Sequence, residues 1–223
     1  EIANEQESPE FDYYGVKKGY TDNKHVEKFF EPLTADKTMN IYVNWVPNTY
    51  TIGYTLNGGT KGTNGPTSGT YDTDVQISNP TKTVTVTGNA NSTGATVGSA
   101  TSKAQTFSGW TSTTLGSNAK TGTAANPTTA WTGTSTKNTY FRNLRESGTA
   151  TMVANWTPVA FNLPTVTKTG YTCKWNTQSN GSGTSYNSGA SYTPSATSAS
   201  SVTMYAICTE KTATLTYNNG GHG

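Results

Sequence analysis

The side chains able to do acid–base, nucleophilic or metal chemistry are few: two histidines, His25 and His222, two cysteines, Cys173 and Cys208, and 13 carboxylates in 223 residues. A Ser/His/Asp or Cys/His site would need one of the two histidines, and each reads as a solvated surface residue. Two cysteines with no histidine nearby do not fill a tetrahedral metal shell. Asp72 and Asp74 fall on the same face if Tyr71 to Ile77 is a strand, which is the one arrangement close to a glycosidase carboxylate pair. No further acids lie near them for the roughly 6 to 8 oxygens of a calcium site, so they read as surface charges. The run Asn180-Gly181-Ser182-Gly183 lacks the Lys-Ser/Thr end and helix of a phosphate loop and reads as a turn. No catalytic residue, metal or cofactor is expected, and the chain reads as a non-enzyme.

Recognition leaves a second set of candidates. Trp131 matches no recurring marker of the chain, and with Tyr140 and Phe141 it is the first choice for an exposed contact to a glycan or to a host or cell-surface protein. Arg142 and Arg145 are the only arginines; the pair suits a carboxylate or sulfate, with an ion pair to Glu146 as the plainer alternative. Nine of the 13 carboxylates lie in residues 1–40, which carry a net −4 against +6 for the remainder. That division reads first as solvated charged faces, with a head-to-tail preference between neighbouring copies or domains as the alternative, weakened by screening. A net charge of +2 argues against nucleic acid as a partner. No apolar run approaches the roughly 18 residues of a bilayer span, so no membrane insertion is expected, and no basic-led apolar leader is read at the start.

The elements that must carry these residues follow from composition. Thr (46), Asn (21), Ser (20) and Gly (23) make up about half the chain, while only 13% of it is charged. Twenty-four aromatics, 5 Trp with 13 Tyr and 6 Phe, argue against disorder. Thr, Tyr, Val and Trp suit a pleated, half-buried surface, and Gly, Asn, Pro and Ser supply turns.

Three sets of markers recur. Met39-Asn40-Ile41-Tyr42-Val43-Asn44-Trp45, Ala150-Thr151-Met152-Val153-Ala154-Asn155-Trp156 and Val202-Thr203-Met204-Tyr205-Ala206-Ile207-Cys208 alternate as strands with one buried face. The two Trp copies are followed within two residues by Pro47 and Pro158, which close a strand. Tyr50 to Leu56 alternates and breaks at Asn57-Gly58-Gly59; Ala213 to Tyr217 does the same before Asn218-Asn219-Gly220-Gly221, and Asn-Gly after alternation is a strong turn signal. Between them lie Gln105-Thr106-Phe107-Ser108-Gly109-Trp110 and Gly170-Tyr171-Thr172-Cys173-Lys174-Trp175.

Taken in order, these residues resemble the Listeria–Bacteroides repeat, or internalin B-repeat, of bacterial surface proteins. The resemblance implies a mainly β chain of tandem small β-grasp-like modules, each with at most one short helix. The modules are residues 1–47, 48–158, 159–209 and a first strand at 210–223. From Trp45 to Trp156 is 111 residues but from Trp156 to Cys208 only 52, so the 48–158 module is enlarged, by a β-hairpin over Thr83-Val84-Thr85-Val86-Thr87 to Lys103 and by a second insert over Thr111 to Asn138. Trp45, Trp110, Trp156 and Trp175 are structural markers of the repeat, with Asn57, Gly58 and Gly59. Cys173 and Cys208 replace two core aromatics of that pattern, which suggests a compensating disulfide and hence a location outside the cytosol; two separate buried thiols are the alternative.

The function implied is that of a non-catalytic stalk or spacer in an extracellular bacterial surface protein, with neighbouring repeats as its contacts. Two alternatives stand beside it. The inserts of 48–158 could form a glycan- or protein-binding adhesin module, or the strand Thr212–Tyr217 could add to another chain's sheet edge in a self-assembling filament.

Overall fold

A computed structural model describes residues 45–218, 220 and 221 in full and the backbone of 20–22. The structure is mainly β, with 45% of the described residues in strands, and no helix occurs among them. The short helix allowed by the resemblance is therefore not found there. The connecting segments are rich in Gly, Asn, Pro, Ser and Thr, which favour turns over helix. Two compact units form, and the chain alternates between them.

The first unit takes Glu1–Leu56, Lys61–Pro80 and Ser108–Asn155. Its strands are β1 (Tyr20–Asp22), β2 (Trp45–Pro47), β3 (Thr49–Thr55), β4 (Ser68–Thr70) and β5 (Asp74–Gln76). The second unit takes Asn57–Thr60, Thr81–Phe107 and Trp156–Gly223. It opens with β6 (Thr83–Asn89), β7 (Thr96–Val97) and β8 (Thr101–Ala104). Strand β9 (Thr106–Thr111) leads back to the first unit, which adds β10 (Lys120–Gly122), β11 (Thr129–Ala130), β12 (Tyr140–Arg142) and β13 (Thr149–Thr157). The rest belongs to the second: β14 (Phe161–Asn162), β15 (Val166–Thr167), β16 (Tyr171–Asn176), β17 (Ser185–Asn187), β18 (Ser191–Tyr192) and β19 (Ser201–Glu210).

In the first unit one sheet has the order β4-β3-β13-β9 and a second the order β11-β10-β12-β5. Alternation sets the faces. Tyr50 and Ile52 of β3 and Ala150, Met152 and Ala154 of β13 point inward, while Thr49 and Thr51 point to solvent. β3 and β13 run parallel, Thr51 beside Thr149 and Thr55 beside Val153.

In the second unit the sheet order is β17-β16-β19-β6-β8. β19 runs parallel to β6 and antiparallel to β16. Val86, Met204, Ala206 and Trp175 form its core with Leu163, Val166 and Tyr192. The hairpin read from the sequence as an addition to 48–158 thus shares its sheet with strands of 159–209. Val84 and Val86 are fully buried, the inward face of an alternating strand. The close fit is visible at Gly88, where a Cβ would strike the indole ring of Trp175.

Both sheets use one arrangement. A first strand with an antiparallel neighbour (β3 with β4, β6 with β8) lies parallel to a terminal strand (β13, β19), whose other side carries a middle strand (β9, β16). The β1–β2 ribbon repeats the last pairing in the same register. Asp22 faces Trp45 and Tyr20 faces Pro47, as Cys173 faces Cys208 and Tyr171 faces Glu210. Gly19-Tyr20-Thr21 accordingly matches Gly170-Tyr171-Thr172, a correspondence that only the register brings out.

Candidate functional site

Strand β12 carries three of the five binding candidates, and the sheet around it decides what each can do. Phe141 stands opposite Val75 on one side and Thr121 on the other and is fully buried. Trp131, just after β11, packs on it with ring centroids 5.1 Å apart and is only 6% exposed. Its indole N–H donates to the Thr134 carbonyl at 3.1 Å, so the ring is buried without leaving a donor unsatisfied. The exposed aromatic contact expected at Trp131 and Phe141 is therefore an interior pair; Tyr140, at the same strand, is half-buried.

Arg142 pairs with Asp74, its cross-strand neighbour, and not with Glu146. Its Nε donates to Asp74 Oδ1 at 2.7 Å, and its Nη2 donates to Asn126 Oδ1 at 2.9 Å. The Asn126 backbone N–H, at a left-handed φ of 56°, closes the triangle by donating to Asp74 Oδ2 at 2.6 Å. Partly exposed ion pairs of this kind contribute about 1 kcal/mol or less. Arg145 donates to the carbonyls of Thr114 and Ser147, at 2.7 and 2.9 Å.

Asp72 does not join Asp74 on a strand, because β5 begins only at Asp74. It sits in a turn at φ 59°, its backbone N–H donating to Asn143 Oδ1 at 2.6 Å. Both Asp74 oxygens accept from protein donors, Arg142 Nε and the Asn126 N–H.

Asp74 lines an open pocket of about 350 Å³ together with Asn64, Ser68, Thr70, Thr73 and Gln76 and the apolar Pro66 and Val75. Two of its lining residues are bonded to each other, Asn64 Nδ2 donating to Gln76 Oε1 at 3.2 Å. No aromatic ring lines this cavity, so it offers no face on which a sugar could stack.

The second unit holds the remaining chemistry. Cys173 and Cys208 form the disulfide suggested by the resemblance, joining directly opposed residues of β16 and β19 with Cα atoms 4.0 Å apart. Both sulfurs pack against the core cluster. Lys82, only 3% exposed, donates from Nζ to the carbonyls of Asn57 and Ala196 at 2.8 and 2.9 Å, with the Trp156 ring 5.8 Å away. Burial lowers its pKa from the ordinary 10.5.

The sequence reading passed over Asn176, which is 1% exposed. Its Nδ2 donates to the carbonyls of Gly181 and Gly183 and to Ser185 Oγ, and its Oδ1 accepts from the N–H groups of Gln178 and Gly183. One amide thus holds the whole Gly-rich turn 177–184. The only sequence signal was a polar residue directly after the marker Trp175.

Trp110 and Trp175 are fully buried and Trp156 is 5% exposed; Trp45, in β2, is half-buried. Asn57 and Gly58 take the left-handed turn expected of Asn-Gly, at φ 50° and 80°. His25 and His222 lie outside the described residues, among which no three His, Cys, Asp or Glu side chains are placed to hold a metal ion. Among those same residues, no helix is long and apolar enough to cross a membrane. Comparison with family models, with curated proteins and with solved structures gave no match.

Proposed function

We propose that this chain is a non-catalytic spacer region of an extracellular bacterial surface protein, built from recurring β units that hold a distal part of the protein at a distance. The observation that carries this reading is the recurrence itself: one strand order in both units, and one register shared by β1–β2 and β16–β19. Side chains that could have served recognition are used internally, Trp131 on Phe141 and Arg142 on Asp74. The disulfide supports an oxidising compartment, since such bonds are rare in the cytosol. A glycan- or protein-binding adhesin loses its aromatic platform with the burial of Trp131.

Force-extension of the chain held by its two ends tests this. A spacer gives discrete unfolding steps, whereas featureless extension would sink the reading. Reduction of the disulfide frees a loop of 35 residues and lengthens the fully unfolded trace by about 12 nm, at ~3.5 Å per residue.

A further inference from the structure

Asparagine followed by glycine occurs three times among the described residues, at Asn57-Gly58, Asn64-Gly65 and Asn180-Gly181. In such a pair the glycine nitrogen can attack the asparagine side-chain amide, with no Cβ of its own in the way. The fold treats the three pairs differently. The Asn57 carbonyl accepts from Lys82 Nζ at 2.8 Å, and a Cβ at Gly58 would strike the Ser198 carbonyl, so this peptide has little room to turn. Asn64 is pinned on three sides. Its N–H donates to Ser78 Oγ, its carbonyl accepts from the Ser78 N–H at 2.7 Å, and its Nδ2 donates to Gln76 Oε1.

Asn180 is held from within its own turn, where residues 177–180 are all exposed. Its Oδ1 accepts from the Ser182 N–H at 3.0 Å and lies 2.7 Å from the Ser182 hydroxyl. That hydroxyl is also 2.7 Å from Gln178 Oε1, so its one proton serves the two oxygens in turn. The Gly181 N–H donates to the Gln178 carbonyl at 3.1 Å, near the long end for such a bond.

We propose that Asn180 is a self-modification site, at which the Gly181 nitrogen converts the side-chain amide through a succinimide to aspartate and isoaspartate. The Gly181 nitrogen leaves the Gln178 carbonyl, gives its proton to hydroxide and bonds to Asn180 Cγ. Negative charge arrives on Oδ1, where the Ser182 N–H and hydroxyl are already aimed. The Cγ–Nδ2 bond then breaks, and Nδ2 takes a proton from water and departs as ammonia, which restores the hydroxide. Water opens the ring at Cγ to give aspartate, or at the Asn180 main-chain carbonyl to give isoaspartate, whose chain runs through Cγ. One water is consumed and one ammonia released, with no change of oxidation state.

Both products place a carboxylate beside Gln178 and Ser182. Isoaspartate also adds a carbon to the main chain just before Gly181, whose carbonyl accepts from the buried Asn176 Nδ2 at 3.1 Å. The reaction therefore loosens, slowly and irreversibly, the turn that joins β16 to β17. It needs only water and is separate from the spacer reading.

The whole chain, incubated at mildly alkaline pH and mapped as peptides by mass spectrometry over time, provides the test. Asn180 should convert before Asn57 and Asn64, first as a species lighter by one ammonia and then as separately eluting aspartate and isoaspartate peptides. Ser182→Ala, an exposed change that spares folding, should slow the conversion about two- to tenfold, the worth of one hydrogen bond. In denaturant the three pairs should lose their order. An Asn180 that stays intact while Asn57 or Asn64 converts, a Ser182→Ala chain as fast as wild type, or a preference for Asn180 that persists in denaturant would each overturn the proposal.

Discussion

Strands β9 and β13 are joined near their ends by an aromatic pair, Phe107 set edge-on to Trp156 with centroids 5.6 Å apart. The corresponding strands β16 and β19 are joined by the Cys173–Cys208 disulfide. One arrangement is thus closed in two ways. The rings act by burial, each contributing a few kcal/mol, with Lys82 set over Trp156. The disulfide acts chiefly on the unfolded chain, where a loop of 35 residues gives about 4 kcal/mol in the chain-entropy description. The two closures are of similar size but differ in what removes them: a reductant opens one and leaves the other untouched.

The largest effect concerns which residues make the second unit. Residues 159–210 lack β6, β7 and β8, and with them Val86 of the core cluster and the partly buried Ala95 and Val97 packed on it. Alone, they should show no cooperative unfolding transition by circular dichroism. Residues 81–107 joined by a short Gly linker to 156–210 should restore it, since Phe107 and Trp156 already touch and the Val159 N–H donates to Gln105 Oε1 at 2.7 Å. A fragment 159–210 that folds by itself would mean that β6 and β8 are dispensable, and the likeness between the two sheets would lose its first strand.

The next effect sets the closures against each other. Replacing both cysteines by serine should destabilise the second unit by about 4 kcal/mol. Trp156→Ala should cost about 3–5 kcal/mol, as deletion of a large buried ring does. Denaturant unfolding with and without reductant separates them: reductant should shift the wild type and Trp156→Ala but leave the double serine variant where it is. A double serine loss below about 1 kcal/mol would show that the ladder alone holds β16 to β19 and that the disulfide adds little to it.

These contrasts also mark how far the sequence could be read. Alternation in Tyr50–Leu56, Ala150–Trp156 and Val202–Cys208 gave the strands and their buried faces because side-chain direction is a local property of a pleated strand. Partner choice is not local. Thr83–Thr87 read as one arm of an inserted hairpin, but the strand it joins is β19, more than a hundred residues further on. The same limit hid the site candidates: Trp131 is buried by Phe141, and Arg142 meets Asp74 68 residues away while Glu146 stands close in sequence. Asn176 escaped notice because its role depends on how the turn 177–184 folds back over it.

The smallest effect divides the molecule by pH. In the first unit burial pushes the hydroxyls of Tyr50 and Tyr54 up to about 12 from the ordinary 10.0. A raised folded pKa means that the folded state holds its protons more tightly than the unfolded chain. The stability so conferred is full below pH 10 and is lost as pH rises toward 12. Lys82 of the second unit has the opposite sign. Its lowered pKa means that the unfolded chain binds the proton more tightly, so folding is penalised at lower pH and the penalty lifts as pH rises to 10.5. Tyr192, raised first by burial and then by the neighbouring Tyr186, returns the second unit to a loss above pH 10. Denaturant midpoints followed from neutral pH into the alkaline range should therefore fall for the first unit and pass through a shallow rise before falling for the second. Lys82→Met should erase that rise and keep the fall, at a cost of about 1–3 kcal/mol near neutrality for the two carbonyls left without their donor. A rise that survives Lys82→Met would assign it to another group and leave the buried ammonium without a part in this difference.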